Sequence, residues 1–268
     1  MYQDFYGFRE SPFNITPDPR FLFFSDRHRE AFNHILFGIR ERKGFIQITG
    51  EVGAGKTTVC RAILEELGPE VRTALILNPC LSATQLLRTI LTELGLPAPS
   101  DKVECLQVLN QFLLDQLVHG HDVVVFIDEA QDLDFEVLEE VRLLSNLETD
   151  QRKLLQIVLL GQPELREKLN ALRLRQLRQR ITVRYHLGPL TRPEVVHYIE
   201  HRLHVAGANG SPGFNRWALG AIYRYSRGIP RLVNAVCDKT LLCGYVTGDD
   251  LLTRWHVRRA IRELEGEV

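Results

Sequence analysis

Five short apolar runs punctuate the chain, at residues 45–49, 73–77, 123–127, 155–160 and 182–187. Their length and their content of Val, Ile, Leu and Phe predict strands. The third and fourth are apolar almost throughout, the pattern of strands covered on both faces in a parallel sheet. Between the runs, apolar residues recur every three or four positions. That spacing predicts helices at about 27–41, 56–67, 83–94, 103–118, 135–147 and 163–172, the first of them capped by Ser25-Asp26. Strand and helix alternate, so the predicted fold class is α/β, a doubly wound five-stranded parallel sheet. Ligands in such sheets sit beyond the carboxyl ends of the strands.

The pattern changes after about Arg192, where the strands are expected to stop. Helices are predicted at 192–205, 214–225, 231–245 and 254–263, and 207–213 reads as a loop rich in Gly and Pro. The expected division is an aromatic arm (1–25), an α/β core (26–190) and a small C-terminal helical subdomain (191–268). The arm holds Phe5-Tyr6-Gly7-Phe8, Ser11-Pro12-Phe13 and Thr16-Pro17-Asp18-Pro19, whose prolines forbid a long helix. It is expected to pack its rings on the domain, and a sharper reading has part of it walling an adenine pocket. His197, His201 and His204 recur on one helical face; without an H-E-x-x-H arrangement they read as a solvated face rather than a metal site.

Composition narrows the classes little. With 33 basic and 34 acidic side chains the net charge is −1, which disfavours bulk electrostatic binding of nucleic acid. No run approaches the eighteen or so apolar residues of a membrane span, and the N-terminus lacks the apolar stretch of a signal peptide. Five dispersed cysteines in no C-x-x-C pair fit reduced thiols and a cytoplasmic location.

The chemistry concentrates at the strand ends. After the first run comes Gly50-Glu51-Val52-Gly53-Ala54-Gly55-Lys56-Thr57-Thr58, of the form G-x-x-x-x-G-K-T, leading into a helix. Strand, glycine loop and helix together make a phosphate cradle, because glycine backbone approaches an anion closely and amide N–H groups point inward at the positive end of a helix. Lys56 is expected on the β- and γ-phosphates of ATP, and Thr57 on Mg²⁺. The third run ends in Asp128-Glu129. Two carboxylates at a buried strand end need a cation or water. Asp128 is the expected second Mg²⁺ ligand, and Glu129 the group that orients or deprotonates the attacking water. A small-molecule kinase needs no such acid, so the pair favours hydrolysis.

Three further positions suit a response to the γ-phosphate. Gln162 follows the fourth run and is placed to meet the γ-phosphate or the lytic water, a plain loop glutamine being the alternative. Arginines cluster at Arg173, Arg175, Arg178, Arg180 and Arg184. Either they form a solvated basic face, or one is a finger for a neighbouring subunit's nucleotide, with Arg180 preferred to Arg178. The finger reading implies a homo-oligomer. Gly228-Ile229-Pro230-Arg231 opens a tail helix sharply, and Arg231 is expected to fold over the γ-phosphate.

Taken together, these segments resemble Walker A, Walker B, sensor 1, arginine finger and sensor 2 of the AAA+ ATPases. More narrowly, the chain resembles the ExeA (general secretion pathway protein A) ATPases in Phe5-Tyr6-Gly7-Phe8, Pro17-Asp18-Pro19-Arg20-Phe21, His28-Arg29-Glu30-Ala31, Asp128-Glu129-Ala130-Gln131, Leu160-Gly161-Gln162-Pro163-Glu164-Leu165 and Tyr185-His186-Leu187-Gly188-Pro189-Leu190. The resemblance covers essentially the whole chain. It implies a P-loop NTPase fold with a helical lid, ATP and Mg²⁺ as ligands, and a protein partner in secretin, pilus or exosortase-linked export at the inner membrane. Longer members continue into a transmembrane helix and a peptidoglycan-binding domain, neither of which is expected within these 268 residues. Other ATPases of this kind regulate DNA transposition, so an ATP-dependent DNA-binding switch is the alternative; a P-loop kinase of a small metabolite is the third reading.

Overall fold

The near-continuous apolar runs become the middle of a sheet because they have no polar face to give to water. The structure is a computed structural model that describes residues 1–14, 19–149 and 152–266. The Thr16-Pro17-Asp18 part of the arm lies outside the described residues. In chain order the elements begin with α1 (Tyr2–Tyr6), α2 (Asp26–Arg40), β1 (Phe45–Gly50), α3 (Lys56–Glu66), β2 (Val71–Ile76), α4 (Ala83–Glu93) and α5 (Lys102–Val118). They continue with β3 (Asp122–Ile127), α6 (Phe135–Leu144), β4 (Gln156–Gly161), α7 (Pro163–Leu169), α8 (Arg175–Arg180) and β5 (Ile181–Leu187). The tail holds α9 (Arg192–Val205), β6 (Gly213–Phe214), α10 (Arg216–Ser226), α11 (Pro230–Thr247), β7 (Leu251–Leu252) and α12 (Arg254–Glu265).

Two compact units emerge. One comprises Glu30–Gly50 and Val59–Leu187; the other comprises Met1–Arg29, Glu51–Thr58 and Gly188–Val268. The glycine loop and the arm thus group with the tail helices, a grouping that no break in the sequence announces.

In the first unit the five strands pair in the order β2-β3-β4-β1-β5, and every pairing is parallel. All six residues of β4 and of β1 are buried, as are the last five of β3. Their core partners include Leu86, Ile90 and Leu109 of α4 and α5, and Leu138, Leu165 and Leu177 further along the chain. Each fully buried Leu or Ile is worth roughly 1.5–3 kcal/mol, which suffices to hold these short strands in register. Because the strands are parallel, β3, β4 and β1 end side by side at one edge. Helix starts are set locally: Ser82 and Gln85 form a reciprocal cap on α4, and the Asp101 carboxylate accepts from Val103 and Glu104 N–H on α5.

In the second unit the arm's rings are consumed by the tail's core. Tyr6, Phe8, Phe13 and Phe21 are buried with Tyr198, Leu203, Val233 and Cys237. Arg202, itself buried, pins the arm: it donates to the carbonyls of Pro12 (2.6 Å) and Asn14 (3.2 Å) and to the Tyr198 hydroxyl (2.9 Å). The expectation that strands stop after Arg192 needs correction, since β6 and β7 pair in parallel. Two residues each are too few to show an alternating pattern. The expected solvated histidine face also needs correction: His204 is exposed, but the His201 ring packs on Phe23 at 5.9 Å with its Nε2 buried.

Candidate active site

The glycine loop leaves β1 at Gly50 and enters α3 at Lys56. Gly53 and Gly55 take φ of 77° and 102°, conformations that side-chain-bearing residues rarely adopt. Glu51 and Val52 are exposed and Ala54 is buried. Lys56 is only 5% exposed, and its ammonium donates to the Glu51 carbonyl at 3.2 Å. Thr57 and Thr58 lie in the first turn of α3, half-buried.

Two residues outside the loop fix its course. His28 Nε2 lies 3.0 Å from the Ala54 carbonyl. A carbonyl can only accept, so Nε2 carries the proton, and in the neutral ring Nδ1 accepts from the Ser25 hydroxyl at 2.7 Å. The Ser25 oxygen in turn accepts the His28 backbone N–H at 3.3 Å. Burial pushes the His28 pKa down, opposed by the Ala54 carbonyl and the charge of Glu194. A Cβ at Gly55 would stand 2.8 Å from this imidazole, so glycine is needed for the close approach as well as for its φ. The sequence motifs give His28 no place in the site. The available signal is its position on the buried stripe of α2, one turn before Ala31, Ile35 and Ile39.

The second residue is Arg231, whose backbone N–H donates to the Gly53 carbonyl at 3.3 Å. A Cβ on Gly53 would lie 2.4 Å from the Arg231 Cβ. The Arg231 side chain is exposed. The sharp helix start read from Gly228-Ile229-Pro230 is present: Gly228 has φ 81°, its carbonyl accepts from Leu190 N–H at 2.9 Å, and Pro230 opens α11.

The acids lie at the carboxyl edge of the sheet. Asp128 is 3% exposed, and its Oδ1 accepts the Glu129 N–H at 2.9 Å. Its charge reaches Cys60 of α3, whose thiol is pushed well up, by burial first and then by Asp128. Glu129 sits in the left-handed region at φ 49°, ψ 38°. For a residue with a Cβ that conformation costs about 1–2 kcal/mol, strain of a kind that collects at functional sites. Its carboxylate accepts from Gln131 Nε2 at 2.9 Å and from Gln162 Nε2 at 3.2 Å. Gln131 Oε1 closes the circuit by accepting the Gln162 backbone N–H at 3.0 Å. From the end of the neighbouring strand, Gln162 thus hydrogen-bonds the Glu129 carboxylate. Gln131 is a site residue that no sequence motif marks by role. Lys168 secures the turn beneath it by donating to the carbonyls of Gln131 (2.8 Å) and Leu133. Gly161 leaves room for this network, since a Cβ there would be 3.0 Å from Gln131 Oε1.

The arginine cluster is divided. Arg180 is half-buried and donates to the Ser145 hydroxyl at the end of α6, inside its own unit. Arg178 donates to Asn170 Oδ1 at 3.2 Å on a more exposed surface. Arg184 donates to the Arg178 carbonyl, and Arg173 lies 3.0 Å from the centre of the Phe135 ring.

Residues 39–169 match the family model described as an AAA domain. Over 99% of its length the chain is 46% identical to general secretion pathway protein A of Aeromonas hydrophila. The chain is thus similar to AAA domains over residues 39–169 and to general secretion pathway protein A over nearly its whole length. The chain spans 49% of that relative's length. Solved structures agree on the fold. Cdc6p of Pyrobaculum aerophilum matches with a TM-score of 0.72 at 17% identity, covering 94% of this chain and 70% of that one. The Aeropyrum pernix ORC2 protein matches with a TM-score of 0.70 at 20% identity, covering 96% and 72%. The Thermotoga maritima RuvB Holliday junction branch migration motor matches with a TM-score of 0.60 at 19% identity, covering 90% and 69%. At these identities the likeness is one of fold alone. Among the described residues no helix is long and apolar enough to cross a membrane.

Proposed function

We propose that the chain hydrolyses ATP and couples the cycle to the assembly or operation of a bacterial secretion, pilus or exosortase-linked export system. The observation that carries the hydrolytic part is the Glu129 carboxylate, strained in backbone and held by two amides at the carboxyl edge of β3 and β4. The adjacent strand, β1, leads into the glycine loop. In this reading the loop amides from Gly50 to Thr58 and the Lys56 ammonium bind the triphosphate. Thr57 and Asp128 offer hard oxygen donors of the kind Mg²⁺ takes. The buried Asp128 carboxylate, felt at Cys60, is suited to a cation. When bound, Mg²⁺ neutralises developing charge on the phosphate oxygens. Glu129 holds the attacking water and takes its proton, while Gln162 keeps that carboxylate aimed and senses the γ-phosphate.

Arg231 shares a hydrogen bond with the loop, so a change of loop state on hydrolysis reaches α11 directly. Arg178 or Arg180 serves a neighbouring subunit's nucleotide in a homo-oligomer; Arg180 must first release Ser145. The secretion assignment is supported by the identity with general secretion pathway protein A. It implies a protein partner at the inner membrane, reached from the cytoplasmic side. The test is phosphate release from ATP with Mg²⁺ and with EDTA, beside mass in solution with and without ATP. Mg²⁺-dependent release and an ATP-dependent rise in mass are expected; absence of phosphate release refutes the hydrolytic reading.

A second reading, an ATP-dependent DNA-binding switch, is favoured by one surface. α12 carries Arg254, Arg258, Arg259 and Arg262 around an exposed Trp255. A gel shift with duplex DNA and ATP across a salt series decides it, because phosphate contacts weaken steeply with salt.

A further inference from the structure

A basic concavity lies within the α/β unit; apart from Arg178, one of the two finger candidates, its lining takes no part in ATP hydrolysis as proposed. β1 and β5 pair so that Gln47 faces Arg184 and Thr49 faces His186. Alternate residues of a strand share a face, so these four project from one side of the sheet. With Arg166 of α7 and Arg178 of α8 they line a cavity of about 300 Å³. That volume is at the lower end of small-molecule sites.

The lining is unusual in its charge. Three arginines line the cavity and no carboxylate does. None of the three makes an ion pair among the described residues. The neutral groups are equally telling. Thr49 and His186 satisfy one another at 3.1 Å. Gln47, only 5% exposed, lines the cavity and makes no side-chain hydrogen bond to any described residue. Like charges gather at cost unless a counter-charge is supplied.

We propose that this cavity binds a phosphate-type oxyanion, free or at the end of a small phosphorylated molecule, independently of the glycine loop. Planar guanidinium forks match the oxygens of such an anion in pairs, and the Gln47 amide supplies a further N–H. The edge position of β5 leaves the cavity open on one side for the rest of the ligand.

Calorimetric titration of the full chain at low ionic strength tests this, with inorganic phosphate and phenyl phosphate as probes. Lys56→Ala removes the loop's own phosphate affinity; wild-type protein held with excess non-hydrolysable ATP analogue gives the same masking should that variant not fold. At least one probe is expected to bind in these backgrounds, and Arg184→Glu or Arg166→Glu to weaken it at least tenfold with the unfolding temperature unchanged. Preference for inorganic phosphate assigns the site to the free ion, preference for phenyl phosphate to an ester. Failure of both probes to bind, or binding indifferent to Arg184→Glu and Arg166→Glu, overturns the proposal. Neither failure touches the hydrolytic reading, which rests on Glu129 and the glycine loop and not on Arg166 or Arg184.

Discussion

Replacing His28 by Ala removes a support of the glycine loop without touching the loop's own sequence. The substitution deletes the N–H that the Ala54 carbonyl accepts at 3.0 Å and strands the Ser25 hydroxyl on the other side. Both His28 and Ser25 are at most 4% exposed, so water does not readily take over. A buried carbonyl left without its donor costs about 1–3 kcal/mol. Carried by the phosphate-binding conformation of the loop, that cost weakens ATP binding roughly 5- to 150-fold, since about 1.4 kcal/mol is a factor of ten. The pH dependence gives an independent signature. Burial lowers the His28 pKa in the folded chain, so as pH falls the unfolded chain takes up the proton first. The contribution of His28 is therefore complete above the ordinary histidine value near 6.5 and is lost as pH drops below it toward the folded pKa. The assay is titration with a fluorescent ATP analogue from pH 5.5 to 8, with thermal unfolding on the same samples. The expected result is weaker binding at pH 8 and a flatter pH profile in His28→Ala. Affinity within twofold of wild type, with the profile unchanged, would refute the clamp.

Other substitutions separate the parts of the account. Gly228→Ala adds a Cβ 2.0 Å from the Leu190 carbonyl at a φ of 81°, so a loss of about 2–5 kcal/mol is expected in denaturant unfolding; a loss under 1 kcal/mol contradicts the packing argument. Gln131→Leu removes the two bonds by which Gln131 links Glu129 to the Gln162 loop, leaving the direct Gln162–Glu129 bond, and should lower turnover about tenfold with ATP affinity held within twofold. Unchanged turnover would make that network merely structural. If an arginine acts across subunits, Arg178→Ala or Arg180→Ala lowers turnover by about 10³-fold, and mixing with a Lys56→Ala chain restores activity. No rescue on mixing sinks the trans reading.

How far the sequence carries can be seen element by element. β1, β3 and β4 are legible because burial on both faces leaves no polar position to blur the run, and the G-x-x-x-x-G-K-T segment fixes the loop and helix after β1. Helix ends are less legible. The apolar spacing that predicts a helix over 135–147 persists beyond Leu144, where the backbone tightens: Ser145, Asn146 and Leu147 N–H each donate to the carbonyl three residues back. Spacing of three still satisfies the pattern, so the change leaves no mark in it. The helix predicted over 163–172 likewise ends at Leu169. The roles of His28 and Gln131 are hidden in the sequence because their partners, Ala54 and Gln162, lie 26 and 31 residues away. Such bonds exist only once the sheet has brought strand ends and loops together. The β1–β5 cavity is hidden for the same reason: Gln47 and Arg184 are neighbours in register, not in sequence.

The role of Glu129 bears most directly on whether this chain is a hydrolase. Steady-state phosphate release with Mg²⁺ and ATP, measured for wild type and Glu129→Gln beside ATP retention on the same samples, tests it. Loss of the proton acceptor should slow release at least about 100-fold while bound ATP stays within twofold of wild type. Release at the wild-type rate from Glu129→Gln would contradict the assignment.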